Sequence, residues 1–376
     1  MNKAFIYGKS VEGTNFTDRK AETARLKKDF ANGLNVILIS PRRMGKTSLV
    51  KKVQSEQSGS ALKIVFMDIY DCRNEYDFYN RFAESLIKST STKAEQALGS
   101  VKEFLTRLSP KISFGLSSDT DFSISLGITP KIYAPEEILN LPEELGRKLG
   151  CHLVICIDEF QQIGEFPNSL AVQKRLRGTW QHQQNVSYCL FGSKKHLMSN
   201  IFQNKRMPFY QFGELIYLGT IATEDWISFI QTRFNDQDKT ISEHFARRIC
   251  ESVRNHSSYV QQLAWNVMAE TETEVTEREF ANGISALLAQ SEPLFIQQTQ
   301  GLSSYQMNFL RAVCSGIRTD FGRKDVGEQF PLGTKSNIAR LKSALLEREL
   351  IEEDKEGVYM ADPVFELWFK QEIMVL

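Results

Sequence analysis

The chain has 376 residues, 41% hydrophobic and 24% charged, with 46 lysines and arginines against 46 aspartates and glutamates. That length exceeds what one compact core usually organises and points to two or three domains. The zero net charge speaks against a protein that coats nucleic acid non-specifically, and no apolar run approaches the roughly 20 residues needed to cross a membrane.

The first 220 residues read as alternating strands and helices. Residues 35–40 (NVILIS) form a short apolar run followed directly by a loop and a helical pattern. Residues 63–68 (KIVFMD), 153–158 (LVICID), 187–192 (SYCLFG) and 214–218 (ELIYL) are further buried-strand candidates. Strands separated by helices predict a parallel sheet covered on both faces. One stretch departs from that scheme. Residues 111–116 (KISFGL) and 122–128 (FSISLGI) alternate apolar and polar around a polar turn, which predicts a β-hairpin insertion at about 110–130. It reads as a surface insertion, with a partner-docking element as the sharper alternative.

From about 221 to 292 the apolar residues recur at three- and four-residue spacings. Helices are expected over 223–234, 242–253, 258–270 and 276–289, the last opening on the capping box TERE. Beyond residue 300 the order is helix (304–315), helix (324–330), helix (334–348), strand (350–353), turn (355–357) and strand (358–361), the winged-helix pattern. The six cysteines show no metal-type spacing, and Cys156 and Cys189 lie inside apolar runs. They read as reduced core residues, which fits a cytoplasmic protein, as does the lack of a signal-peptide pattern at the start.

Two motifs carry chemistry. The string SPRRMGKTS (Ser40, Pro41, Arg42, Arg43, Met44, Gly45, Lys46, Thr47, Ser48) follows a strand and opens a helix. In that context backbone N–H groups at a helix N-terminus converge on phosphates, and a glycine at 45 admits the anion without a Cβ. Lys46 is then the cation for β- and γ-phosphates, and the Thr47 hydroxyl suits Mg²⁺. The usual glycine at the start of such a loop is Ser40 here. The second motif is the strand end Asp158-Glu159. One carboxylate there suits Mg²⁺ through its water shell, and the other can polarise an attacking water. Ser193, just after the strand 187–192, is a candidate to touch a γ-phosphate or that water. Together the motifs predict a site for ATP or ADP with Mg²⁺.

Read together, these strings resemble the AAA+-related STAND ATPases, in particular the prokaryotic group called archaeal ATPases, akin to origin-recognition ATPases. The resemblance rests on the leading segment FTDRKAE (16–22), on SPRRMGKTSLV (40–50), on ICIDEFQQI (155–163) and on FGSKKHLM (191–198). It continues through MPFYQFGELIYLGTI (207–221), SYVQQLA (258–264) and YMADPVFELWF (359–369). The resemblance implies an α/β P-loop ATPase domain over 1–220, a helical lid over 221–292 and a C-terminal winged helix over 300–376. It implies that Phe16 and Arg19 lie against the base, that Ser193 holds the sensor 1 position, and that Arg206 acts on a γ-phosphate across a subunit interface. The segment 257–261 lacks the arginine that a lid sensor uses, so turnover is expected to be slow. The expected function is an ATP-hydrolysing switch with a protein partner or self-association. One rival is an ATP-regulated DNA-binding protein using Lys335, Arg340, Lys342 and Arg348 of the third winged-helix helix, and another is a non-hydrolysing nucleotide-bound scaffold.

Overall fold

The computed structural model describes residues 4–90 and 135–374, so the hairpin expected at 110–130 lies outside the described residues. The chain divides into two compact units, one of residues 10–219 and one of residues 1–9 with 220–376.

The first unit is built on five parallel strands: β1 (Val36–Ile39), β2 (Leu62–Asp68), β3 (His152–Asp158), β4 (Val186–Gly192) and β5 (Glu214–Tyr217). They lie in the order β2-β3-β4-β1-β5. The chain leaves β1 for the far edge, returns through β3 and β4, and passes β1 again to reach β5. Every residue of β1 and β4 is buried. That is why these strands read as unbroken apolar runs: both faces are covered. Helices α1 (Lys20–Ala31) and α2 (Lys46–Gln57) cover one face, where Leu26, Phe30, Leu49 and Val53 meet Val36, Leu38, Val154 and Cys156. On the other, α3 (Glu75–Thr90), α4 (Pro135–Leu149), α5 (Ser169–Trp180) and α6 (Lys195–Gln203) pack on Ile37, Ile39, Val65, Ile155 and Ile157.

The second unit holds α7 (Thr223–Asn235), α8 (Glu243–Ser252), α9 (Ser257–Glu270) and α10 (Glu277–Gln300). It continues through α11 (Ser304–Cys314), α12 (Lys324–Gln329), α13 (Lys335–Glu347), the antiparallel pair β6 (Ile351–Asp354) and β7 (Gly357–Met360), and α14 (Pro363–Ile373). Three helices followed by a two-stranded wing make the winged helix. The capping box at Thr276 and Glu279 forms as expected. The helix it opens runs past the expected end at 289 to Gln300, through Pro293. Proline removes one intrahelical donor and usually stops a helix. Here the turns beyond it are held by Phe295, whose ring packs on Phe365 and Trp368 of α14 at 5.2 and 5.6 Å. Helix α14 follows the last expected strand and is not among the expected elements. Asp362 caps it by accepting from Val364 N and Phe365 N, and Pro363 occupies its first turn.

The first described residues belong to this unit as well. Phe5 packs against Phe229 and Phe234 of α7, and Ile6 N donates to Gln261 Oε1 at 3.0 Å. No helix among the described residues is long and apolar enough to cross a membrane.

Helices α9 and α10 approach closely because residue 283 is glycine. A methyl there would lie 2.5 Å from Val267 Cγ2 and 3.0 Å from Val267 N. Gly283→Ala would gain about 1 kcal/mol of helix propensity but lose about 1–3 kcal/mol to overpacking. The urea midpoint of the full chain should therefore fall. A midpoint above the parent's would show that the two helices part without loss.

Candidate functional site

The carboxyl ends of β1, β4 and β3 lie side by side, with Ile39 paired to Gly192 and Ile157 to Leu190. Each strand ends at that edge on polar residues: Ser40, Ser193, and Asp158 with Glu159. In open α/β sheets this edge is where ligands bind.

The loop after β1 turns into α2 at Gly45, whose φ of 92° is left-handed. A Cβ there would meet nothing within 4 Å, so the backbone angle, not crowding, calls for glycine. Lys46 is buried, and its Nζ donates to the carbonyls of Ser40 (2.9 Å) and Pro41 (2.8 Å) within its own loop. Burial pulls the Lys46 ammonium down to about 8, against the pull of Asp158 and Glu159 in the other direction. The Thr47 hydroxyl donates to Asp158 Oδ2 at 2.6 Å. Burial pushes the Asp158 carboxyl up to about 6, opposed by the Thr47 hydrogen bond and reinforced by Glu159 and Asp68. Ser48 Oγ accepts from Val11 N at 2.9 Å, which ties the leading segment to α2. Arg42 and Arg43 are exposed, with Arg43 at a φ of 61°.

Glu159 follows β3 in a left-handed conformation, φ 54°. Its backbone N–H closes on Asp158 Oδ1 at 2.9 Å. Its Oε2 accepts from Ser193 Oγ at 3.0 Å and from Gln161 Nε2. The structure thus brings Lys46, Thr47, Asp158, Glu159 and Ser193 together. Ser48, the last residue of the loop motif, is engaged by Val11, and Gln161, assigned no role from the sequence, makes a contact to Glu159.

The expected residues Phe16, Arg19 and Arg206 do not join that cluster. Arg19 is buried, and its guanidinium meets Glu22 (2.9 Å), Met44 O (3.1 Å) and Gly219 O (2.7 Å). Those partners make it a clamp on the phosphate loop. Phe16 is half-buried with Lys52 Nζ 5.1 Å above its ring. It borders a cavity of about 520 Å³ shared with Val11, Lys51, Lys52 and Ser55. Arg206 is exposed, with its backbone N–H on Asn204 Oδ1.

No family model matches the chain, and no curated protein matches it. Solved structures do. A Walker-type ATPase of Pyrococcus abyssi superposes on 98% of this chain and 100% of its own, with a TM-score of 0.68 and 17% identity. The ORC2 protein of Aeropyrum pernix, in its ADPNP–ADP complexes, covers 99% of this chain and 98% of its own, with a TM-score of 0.58 and 13% identity. The ADP form of that protein matches at a TM-score of 0.56. The class is therefore set at the level of fold: a P-loop α/β sheet followed by helices and a winged helix. Within that class, the chain is similar in fold to these Walker-type and origin-recognition proteins.

The displaced protonation of Asp158 and Lys46 has a measurable consequence. The folded state holds the Asp158 proton more tightly than the unfolded chain, so stability falls as the pH rises from about 4 to about 6. The Lys46 cost is present at neutral pH and is relieved as the pH rises from about 8 toward its ordinary 10.5. Asp158→Asn removes the desolvated charge and keeps an oxygen for Thr47. Without nucleotide at pH 7.5 it should be more stable than the parent by about 1–3 kcal/mol, with a flatter pH 4–6 limb in urea denaturation. Lower stability at that pH would mean that attraction to Lys46 outweighs the burial of the carboxylate.

Proposed function

We propose that the chain is a Mg²⁺-dependent ATPase that works as a nucleotide-controlled switch. The observation that carries this reading is the meeting of Lys46, Thr47–Asp158 and Ser193–Glu159 at adjacent strand ends, beside a helix N-terminus. The donors suit the ligand. A hydroxyl and a carboxylate 2.6 Å apart are the hard oxygens that Mg²⁺ takes. The left-handed turn at Gly45 opens the loop 40–48 toward an anion.

In this reading the loop's backbone N–H groups and the Lys46 ammonium bind the β- and γ-phosphates. Lys46 exchanges the carbonyls of Ser40 and Pro41 for phosphate oxygens, a better partner for a desolvated cation. Thr47 and Asp158 hold Mg²⁺, which when bound supplies positive charge to the phosphate oxygens. Glu159 orients the attacking water and takes its proton, and Ser193 fixes that carboxylate. Phe16 and Val11 are the apolar side chains that would meet the base, in a cavity whose lining also includes Lys51, Lys52 and Ser55. Arg19 supports the site from behind by holding Met44 O and Gly219 O. Arg206, being exposed, is accessible to a second copy of the chain or a protein partner.

The scaffold alternative draws less support, because a carboxylate held at Glu159 serves turnover and not binding. The DNA alternative is weakened on α13: Lys342 pairs with Glu353 of the wing, and Arg340 donates to Asn337.

Two variants test the proposal. Lys46→Ala should abolish most Mg²⁺–ATP affinity in calorimetry while the circular dichroism spectrum stays that of the parent. Glu159→Gln should still bind ATP and lose about 10²-fold or more in turnover. An unchanged dissociation constant in the first, or parental turnover in the second, would overturn the assignment.

A further inference from the structure

Gln161 lies in the 3-10 turn Phe160–Glu165 that follows β3, and only 3% of it is exposed. Its Nε2 donates to Glu159 Oε2, the oxygen that also accepts from Ser193 Oγ. Among the described residues no hydrogen bond engages the other oxygen, Oε1 of Glu159. The left-handed backbone at Glu159 turns this side chain off the line of the strand, so something beyond β3 must hold its carboxylate.

The amide of Gln161 is seated against Gly192 at the end of β4. A Cβ on Gly192 would lie 1.8 Å from Gln161 Oε1, 3.0 Å from its Cδ and 2.9 Å from Met198 Sδ. Gly192 is thus the floor on which the amide rests, and no larger residue leaves it there. Gln161 Oε1 is itself buried and has no hydrogen-bond partner. An unpaired buried acceptor is unfavourable. Turning the amide over would set Oε1 against the Glu159 carboxylate, acceptor against acceptor. The orientation that satisfies Glu159 is kept at the expense of the amide's own oxygen. A side chain that merely filled this space would be better apolar.

We propose that Gln161 is a positioning residue for Glu159, and that it and Ser193 anchor Oε2 so that Oε1 is the oxygen presented to the attacking water. Gln161 touches neither water nor phosphate in this scheme and acts only through the carboxylate. The proposal rests on the ATPase reading above.

Gln161→Leu keeps the volume and removes the donor. It should lower turnover about 10-fold or more while the Mg²⁺–ATP dissociation constant stays within about 2-fold of the parent's. Its urea midpoint should equal or exceed the parent's, because the unpaired oxygen is gone. In a Glu159→Gln background the same substitution should change residual turnover by less than about 2-fold, the non-additivity expected of residues acting as one. Gly192→Ala keeps the glutamine but displaces its amide. It should reproduce the loss in turnover with nucleotide binding intact, and it carries the test if Gln161→Leu folds poorly. Parental turnover in both variants sinks the proposal, and so does a loss that persists in full when Glu159 is already glutamine. A parent protein with no turnover sinks the ATPase reading and the proposal with it. Normal parental turnover that depends on Glu159 but not on Gln161 sinks the proposal alone.

Discussion

The arrangement depends on a pair of opposite charges held at the rim of a sheet that excludes water. Strands β1 and β4 are buried along their whole length, and β3 nearly so, so none of them tolerates charge before its last residues. Asp158 stands at that limit, and Lys46 faces the same edge from the first turn of α2. Burial moves both toward their neutral forms, the acid upward and the amine downward. Neither group is comfortable, and their mutual attraction offsets only part of the desolvation. In the proposed reading, a polyanion beside the lysine and a cation beside the aspartate would each offset part of that cost.

The supporting contacts reach the site from distant parts of the chain. Arg19 closes on Met44 and Gly219, and Val11 N closes on Ser48 Oγ. Loop 40–48 is therefore braced by protein groups at Met44 and Ser48, while a Cβ on Gly45 would meet nothing within 4 Å. Rigid support of this kind is what a positioned catalytic group requires.

Much of this was legible from residues alone, for identifiable reasons. The strands β1 to β5 match the expected apolar runs to within one or two residues, because doubly covered strands leave an unbroken hydrophobic signature. The loop after β1 and the Asp158-Glu159 pair stood out in the sequence because their residue types follow apolar strands in a fixed order, and the structure sets both at the same edge of the sheet. Helix α10 runs beyond the expected end at 289 because the contact that holds its last turns past Pro293, Phe295 on α14, is long-range and leaves no local signal. Helix α14 carries its own signal in the sequence, an aspartate cap with proline after it, inside the string YMADPVFELWF. Gln161 was hidden for a different reason. Its role follows from the left-handed turn at Glu159 and from the absence of a side chain at Gly192, and neither feature has a periodicity.

The aromatic seam between α10 and α14 sets how the C-terminal half can be handled as material for building other proteins. Phe295 lies in the helix that precedes the winged helix, and its partners Phe365 and Trp368 lie in the helix that ends it. Arg254, from the turn between α8 and α9, reaches Glu366 and the carbonyl of Met360. The winged helix is therefore not a detachable cassette. A graft that began at residue 302 would carry Phe365 and Trp368 without their counterpart, and a graft that kept the seam whole would have to begin at the Thr276 cap or earlier. Recombination within this half of the chain, in the laboratory or in evolution, should find its workable junctions near Thr220 and not between the helices and the wing.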